Sequence, residues 1–246
     1  MDFRALFLQE RQKEHDGEAA MDTQVDSMST NEDPVLCAYR TKLFEFEKPF
    51  PKQSLELFRV GLIPSVFVVP HFVTDNDEMA LLQIIQTCPA QKWTQLKRRS
   101  LQQWGGQPLP TGMSPEPLAQ YQLKLIERLV EFDVFPKDAR PNHVLLNRYE
   151  PGQGIMAHKD GLLYHPQVAI ISLGSPAVMH FFERLSDTLE GKTKPAVSVF
   201  LPRCSLLVFN EGLSIHNHEF ATTTTSCRFI HELLARNQRN YTRHYQ

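Results

Sequence analysis

Cysteine is sparse and dispersed: Cys37, Cys88, Cys204 and Cys227 stand far apart, and no two form a C-x-x-C pair. That spacing excludes a zinc module and a disulfide framework, and it fits a reducing compartment. Long hydrophobic runs are also missing. No stretch approaches the roughly 18 apolar residues of a membrane span, and the short patch "FRALFL" is broken by Arg4 and followed by "QERQKEHDGEAA". Neither a signal-peptide core nor a membrane partner is expected, and the protein is assigned to the cytoplasm and nucleus. An excess of one charge is lacking too, since 26 Lys and Arg oppose 28 Asp and Glu for a formal net charge of -2. Global attraction to nucleic acid is thereby excluded, so a polyanionic partner has to be met by a local patch. Internal repeats are absent.

What remains, 246 residues with 41% hydrophobic positions, suffices for one good-sized domain with appendages, expected as a monomer. Residues 9 to 33 are mostly Gln, Glu, Asp, Ser, Thr and Lys, which cannot bury enough surface to offset the entropy of ordering. Residues 1–54 are therefore expected to form a mostly disordered extension. Residues 55–135 read as a strand, a helix and a substrate-lid segment. "LFRVGLIPSVFVVPHFV" is rich in β-branched and aromatic residues, and "TDNDEMALLQIIQTC" has a capping residue before apolar positions at helical spacing. "KWTQLKRRSLQQWGGQPLPTGMSPEP" is punctuated by Gly and Pro and is expected to be a long irregular loop. "PLAQYQLKLIERLVEFDVF" predicts an amphipathic helix.

Residues 136–246 read as the core. "HVLLNRY", "VAIISLG", "AVMHFFE", "VSVFLP" and "SLLVF" are short apolar runs between turn residues, which predicts an antiparallel jelly-roll, mainly β with some α. Within it lies "NRYEPGQGIMAHKDG", residues 147 to 161. Side chains alternate along a strand, so His158 and Asp160 share a face while Lys159 points away. Imidazole with carboxylate is part of the donor set of the two-histidine, one-carboxylate Fe(II) site, provided that another strand supplies the third ligand. Asn147 and Tyr149 also share a face, and an amide and a phenol can both donate to a carboxylate.

"NHVLLNRYEPGQGIMAHKDG" followed by "VAIISLGSPAVMHFF" and "LPRCSLLVF" resembles the AlkB-like Fe(II)/2-oxoglutarate dioxygenases. The upstream "KWTQLKRRSLQQWGG" is similar to the branch of that family containing the sixth AlkB homologue. The resemblance implies a double-stranded β-helix core, Fe(II) on His158 and Asp160, and 2-oxoglutarate held as cosubstrate by Asn147 and Tyr149. It also implies oxidative demethylation of alkylated nucleic acid or a related substrate.

The tail departs from the family. In place of a Leu-His-Gly segment and an R-x-S-L-T-x-R strand, the chain continues "NEGLSIHNHEFATTTTSCRFIHELLARNQRNYTRHYQ". His218 and His216 are the candidates for third metal ligand, with His218 preferred by its distance from Ser205. "SCRFIHELLARNQRN" has a helical cast, so no arginine is assigned to the cosubstrate carboxylate. A second expectation follows, that of a catalytically impaired module binding nucleic acid or protein. For either, the lid pairs cations with aromatic faces: Lys97, Arg98 and Arg99 lie between Trp93 and Trp104, all expected to face an accessible groove.

Overall fold

Runs of β-branched and aromatic residues become strands, and three stretches with apolar positions at helical spacing become helices. The computed structural model describes residues 33–61, 63, 65–109, 112–158, 164–182, 195–210, 217–221 and 230–236. In chain order these hold helix α1 (Pro34–Arg40), strand β1 (Val66–Val69), helix α2 (Asp75–Gln86), strands β2 (Thr94–Leu96), β3 (Arg99–Trp104), β4 (Gln107–Leu109) and β5 (Gly112–Ser114), and helix α3 (Gln120–Glu131). Strands β6 (His143–Tyr149), β7 (Gly154–His158), β8 (Gln167–Leu173), β9 (Ala177–Phe182), β10 (Val197–Leu201), β11 (Ser205–Asn210), β12 (Asn217–Ala221) and β13 (Ile230–Arg236) follow.

A seven-stranded antiparallel sheet has the order β1-β11-β8-β13-β6-β3-β2, and a four-stranded one the order β10-β9-β12-β7. Period-2 alternation gives the larger sheet two apolar faces. One, with Tyr149, Ile170, Leu207 and Phe209, packs against Met179, Phe181, Val199 and Leu201 of the smaller sheet. The other, with Trp104, Val144, Leu146, Ile171 and Val208, packs beneath Leu81 and Ile85 of α2 and Tyr121, Leu125 and Leu129 of α3. This is the expected jelly-roll. Helix α2 starts as the sequence predicts: Thr74 Oγ1 accepts from the Asp77 backbone at 3.1 Å, and Asp77 accepts from the Thr74 backbone at 3.0 Å.

Three expectations are corrected. Residues 34–54 are part of the packed body, because their aromatics supply the burial that residues 9 to 33 lack. Tyr39 and Phe44 are buried in the helix-side core, and Phe46 and Phe50 pack on it. Arg128 ties this strap down by donating to the Phe72 carbonyl at 3.0 Å and to the Lys48 carbonyl, with its guanidinium over the Phe46 ring. Residues 1–32 lie outside the described residues.

The long loop after residue 93 is instead two hairpins. β2 turns into β3 through Lys97 and Arg98, and β4 pairs with β5. β3 is drawn into the sheet because it satisfies the backbone groups along the edge of β6, from Ser100 opposite Arg148 to Trp104 opposite Val144. The tail is likewise not helical. β13 fills the slot between β6 and β8 and pairs with both, so its backbone closes two ladders that a helix would leave open.

Candidate metal centre

Strand β6 sets the first part of the site. Val144 and Leu146 turn to the helices, so Leu145, Asn147 and Tyr149 turn to the space between the sheets. Asn147 and Tyr149 are both buried, and the Asn147 side chain makes no hydrogen bond among the described residues. A buried amide of that kind has capacity left for a ligand.

The smaller sheet brings the imidazole positions. β12 pairs with β7 so that His218 is the register partner of His158, and with β9 so that His218 is also the partner of Phe181. Opposed residues of an antiparallel ladder lie on one side of the pleat, and Phe181 belongs to the inter-sheet core. The two histidine positions therefore share the inward face. A register shift follows His218, the irregularity that bends a strand where a site is built. His216 and Asp160 lie outside the described residues.

Strand β13 occupies the place the resemblance reserves for the arginine strand, with different residues. Glu232 is the partner of Asn147, Ile230 of Tyr149 and Arg236 of His143. Local pattern misses this, since Glu, Leu, Ala and Arg are good helix formers and the pairing partners are remote in sequence. Arg228, Arg239 and Arg243 lie outside the described residues.

The lid residues separate. Lys97 and Arg98 are exposed at the β2–β3 turn, where Arg98 donates to the Gly152 carbonyl at 3.1 Å. Trp93 is half-buried with the Arg148 guanidinium 4.5 Å from its ring centroid. Trp104 does not face a groove: it is buried, stacked on Tyr39 at 5.7 Å, and its indole N–H donates to Gln102 at 2.9 Å. The reason is register, since Trp104 lies opposite Val144 on the helix side of the sheet. Arg99 turns the other way, towards the inter-sheet side, and Leu101 beside it is the partner of Asn147.

Behind the site, Glu78 of α2 fixes two connections. It accepts from the Gly174 backbone at 2.8 Å after β8, and it pairs with Arg203 at the corner between β10 and β11. Asp75, Glu78 and Cys204 offer ligand atoms within 4.8 Å of one another, but the Arg203 guanidinium already pairs with both carboxylates. Burial pushes the Cys204 thiol up to about 12, which keeps it protonated at neutral pH.

Comparison with known proteins agrees with this architecture. Residues 51–239 match the model of the 2OG-Fe(II) oxygenase superfamily. "Probable RNA/DNA demethylase ALKBH6" of Danio rerio is 37% identical over 155 residues, 61% of this chain and 66% of that protein. "tRNA (carboxymethyluridine(34)-5-O)-methyltransferase ALKBH8" of Mus musculus is 30% identical over 171 residues, 60% of this chain and 23% of its own length. The chain thus spans just under two thirds of the first relative and about a quarter of the second. The solved structure of OsALKBH1 shares the fold with a TM-score of 0.53 at 15% identity, over 72% of this chain and 100% of that one. An N-x-Y strand, a histidine pair across two strands of the smaller sheet and a superfamily match over residues 51–239 converge: the chain belongs to the 2OG-Fe(II) oxygenase superfamily, among its AlkB-like members.

Proposed function

We propose that this chain removes an alkyl group from a nucleic-acid base by oxidation, using the Fe(II) and 2-oxoglutarate of its superfamily. The observation that carries this is the register setting His158 opposite His218 on the inward face. With the Asp160 carboxylate two residues on, these imidazoles make a nitrogen and oxygen donor set suited to Fe(II). When bound, iron and 2-oxoglutarate would let O2 hydroxylate a substrate C–H bond, one oxygen atom going to the substrate and the other to succinate, with loss of CO2. His158 and His218 would hold the metal through their ring nitrogens, and Asn147 and Tyr149 would donate to the cosubstrate. Leu101, Met179 and Phe181 keep the inter-sheet space dry. Lys97 and Arg98 meet phosphates at the exposed turn. All these groups come from one chain, so a monomer suffices. A cytoplasmic and nuclear setting suits the free thiols of Cys37, Cys88 and Cys204.

The names of both relatives point to nucleic acid. A second reading, a binding module with impaired catalysis, rests on the register of β13, which sets a glutamate position, Glu232, and not an arginine opposite Asn147. One experiment separates them: succinate release with Fe(II) and 2-oxoglutarate, with mass analysis of an oligonucleotide carrying N-methylated bases. Demethylation that disappears in His158→Ala is expected. Oligonucleotide binding without succinate would select the module.

A further inference from the structure

We propose that Arg99 is the cationic partner of the far carboxylate of 2-oxoglutarate, an assignment that rests on the cosubstrate reading above. Ser100, Gln102 and Trp104 of β3 turn to the helix side, where Ser100 accepts from Arg148 at 3.4 Å and Gln102 accepts from the Trp104 indole. Alternation then turns Arg99 and Leu101 to the inter-sheet side. Leu101 is the partner of Asn147, and one more step of the same ladder sets Arg99 opposite Tyr149. An amide, a phenol and a guanidinium stand together on one face of two neighbouring strands. All three donate hydrogen bonds, and the guanidinium fork suits a carboxylate in two parallel bonds.

Arg99 is otherwise unused. It is half-buried, its Nε is sealed from solvent without a partner, and its guanidinium makes no hydrogen bond or ion pair among the described residues. An enclosed N–H left in that state costs free energy unless a ligand accepts from it. Neighbouring cations are engaged elsewhere: Arg98 donates to Gly152, and Arg148 lies over Trp93. Nor does β13 bring a cation to this spot. Its positions opposite Tyr149 and Asn147 are Ile230 and Glu232, while Arg236 pairs with His143, four residues or about 13 Å along β6 from Asn147. The arginine that the tail strand lacks at this level is supplied from the opposite flank of β6.

The test is calorimetric binding to the full chain loaded with Mn(II). The ligands are 2-oxoglutarate and 2-oxobutanoate, which keeps the keto acid but has no far carboxylate. Arg99→Gln is expected to weaken 2-oxoglutarate about ten- to a hundredfold, the worth of one charge-assisted contact, and to leave 2-oxobutanoate unchanged. Arg99→Lys should recover part of that loss, and Arg236→Gln should change neither ligand. The melting temperature of Arg99→Gln should match the parent, because no partner is lost. Unchanged 2-oxoglutarate affinity in Arg99→Gln, or equal loss of both ligands, overturns the assignment while the cosubstrate reading stands. Reduced oligonucleotide affinity with normal 2-oxoglutarate binding overturns it in favour of a substrate contact. A parent chain that binds neither keto acid removes the cosubstrate reading itself, and the assignment with it.

Discussion

The two faces of the seven-stranded sheet are built to different ends. The helix face carries a dense aromatic core in which Tyr39 contacts both Trp104 and Tyr121, and Phe50, Phe72 and Phe132 form a second cluster. Charges enclosed there are paired: Asp77 and Glu78 are buried, with Arg128 3.8 Å from Asp77 and Arg203 on Glu78. The inward face has a smaller core and keeps polar groups in reserve, with Asn147 and Arg99 unengaged among the described residues. Stability is concentrated on one face and ligand capacity on the other. Interaction energy left unsatisfied in the protein alone is what a bound ligand can recover.

Breaking that contrast begins with Trp104. Trp104→Ala should cost about 3–5 kcal/mol by emptying a packed position, seen as a lower midpoint in urea or heat. Metal affinity of the folded fraction should stay at the parent value; a stable variant that had lost oligonucleotide binding would return Trp104 to the lid. The opposite signature is expected at the inward face. His158→Ala should weaken Mn(II) by more than about a hundredfold, beyond the roughly 10- to 100-fold cost of losing a hydrogen-bonding partner behind a ligand. Its melting temperature should barely move. Equal metal titrations for parent and variant would dismantle the site.

Smaller effects sharpen the same division. Thr74→Ala removes one half of the capping box of α2 and should cost about 1 kcal/mol with no change in ligand binding. Charge reversal at Lys97 and Arg98 should leave stability intact, lower oligonucleotide affinity a few-fold and flatten its dependence on salt, because fewer counterions are released. An unaltered salt slope would make that turn a solvated surface.

How much was legible follows from the range of the information. α2 and α3 could be placed from spacing because helical packing needs a local stripe, and Thr74 announces the start of α2. Strands β6 and β8 to β11 were visible as apolar runs between turn residues. β13 was not, since "IHELLAR" has the composition of a helix and becomes a strand only where β6 and β8 leave a slot for it. Trp104 was misplaced for a related reason. Its position among basic residues suggested a lid, whereas its face is decided by pairing with Val144.

By itself, then, the sequence determined the chemical types on hand and the faces they share within one strand. Asn147 and Tyr149 are two residues apart, and alternation along a strand is a local property. The tertiary structure alone decided which remote groups meet: His218 with His158, Glu232 with Asn147, and Arg99 on the Tyr149 side of β6. Register between strands far apart in the chain is set by the joint burial of whole sheet faces, and a slip of one residue would reverse every one of those meetings.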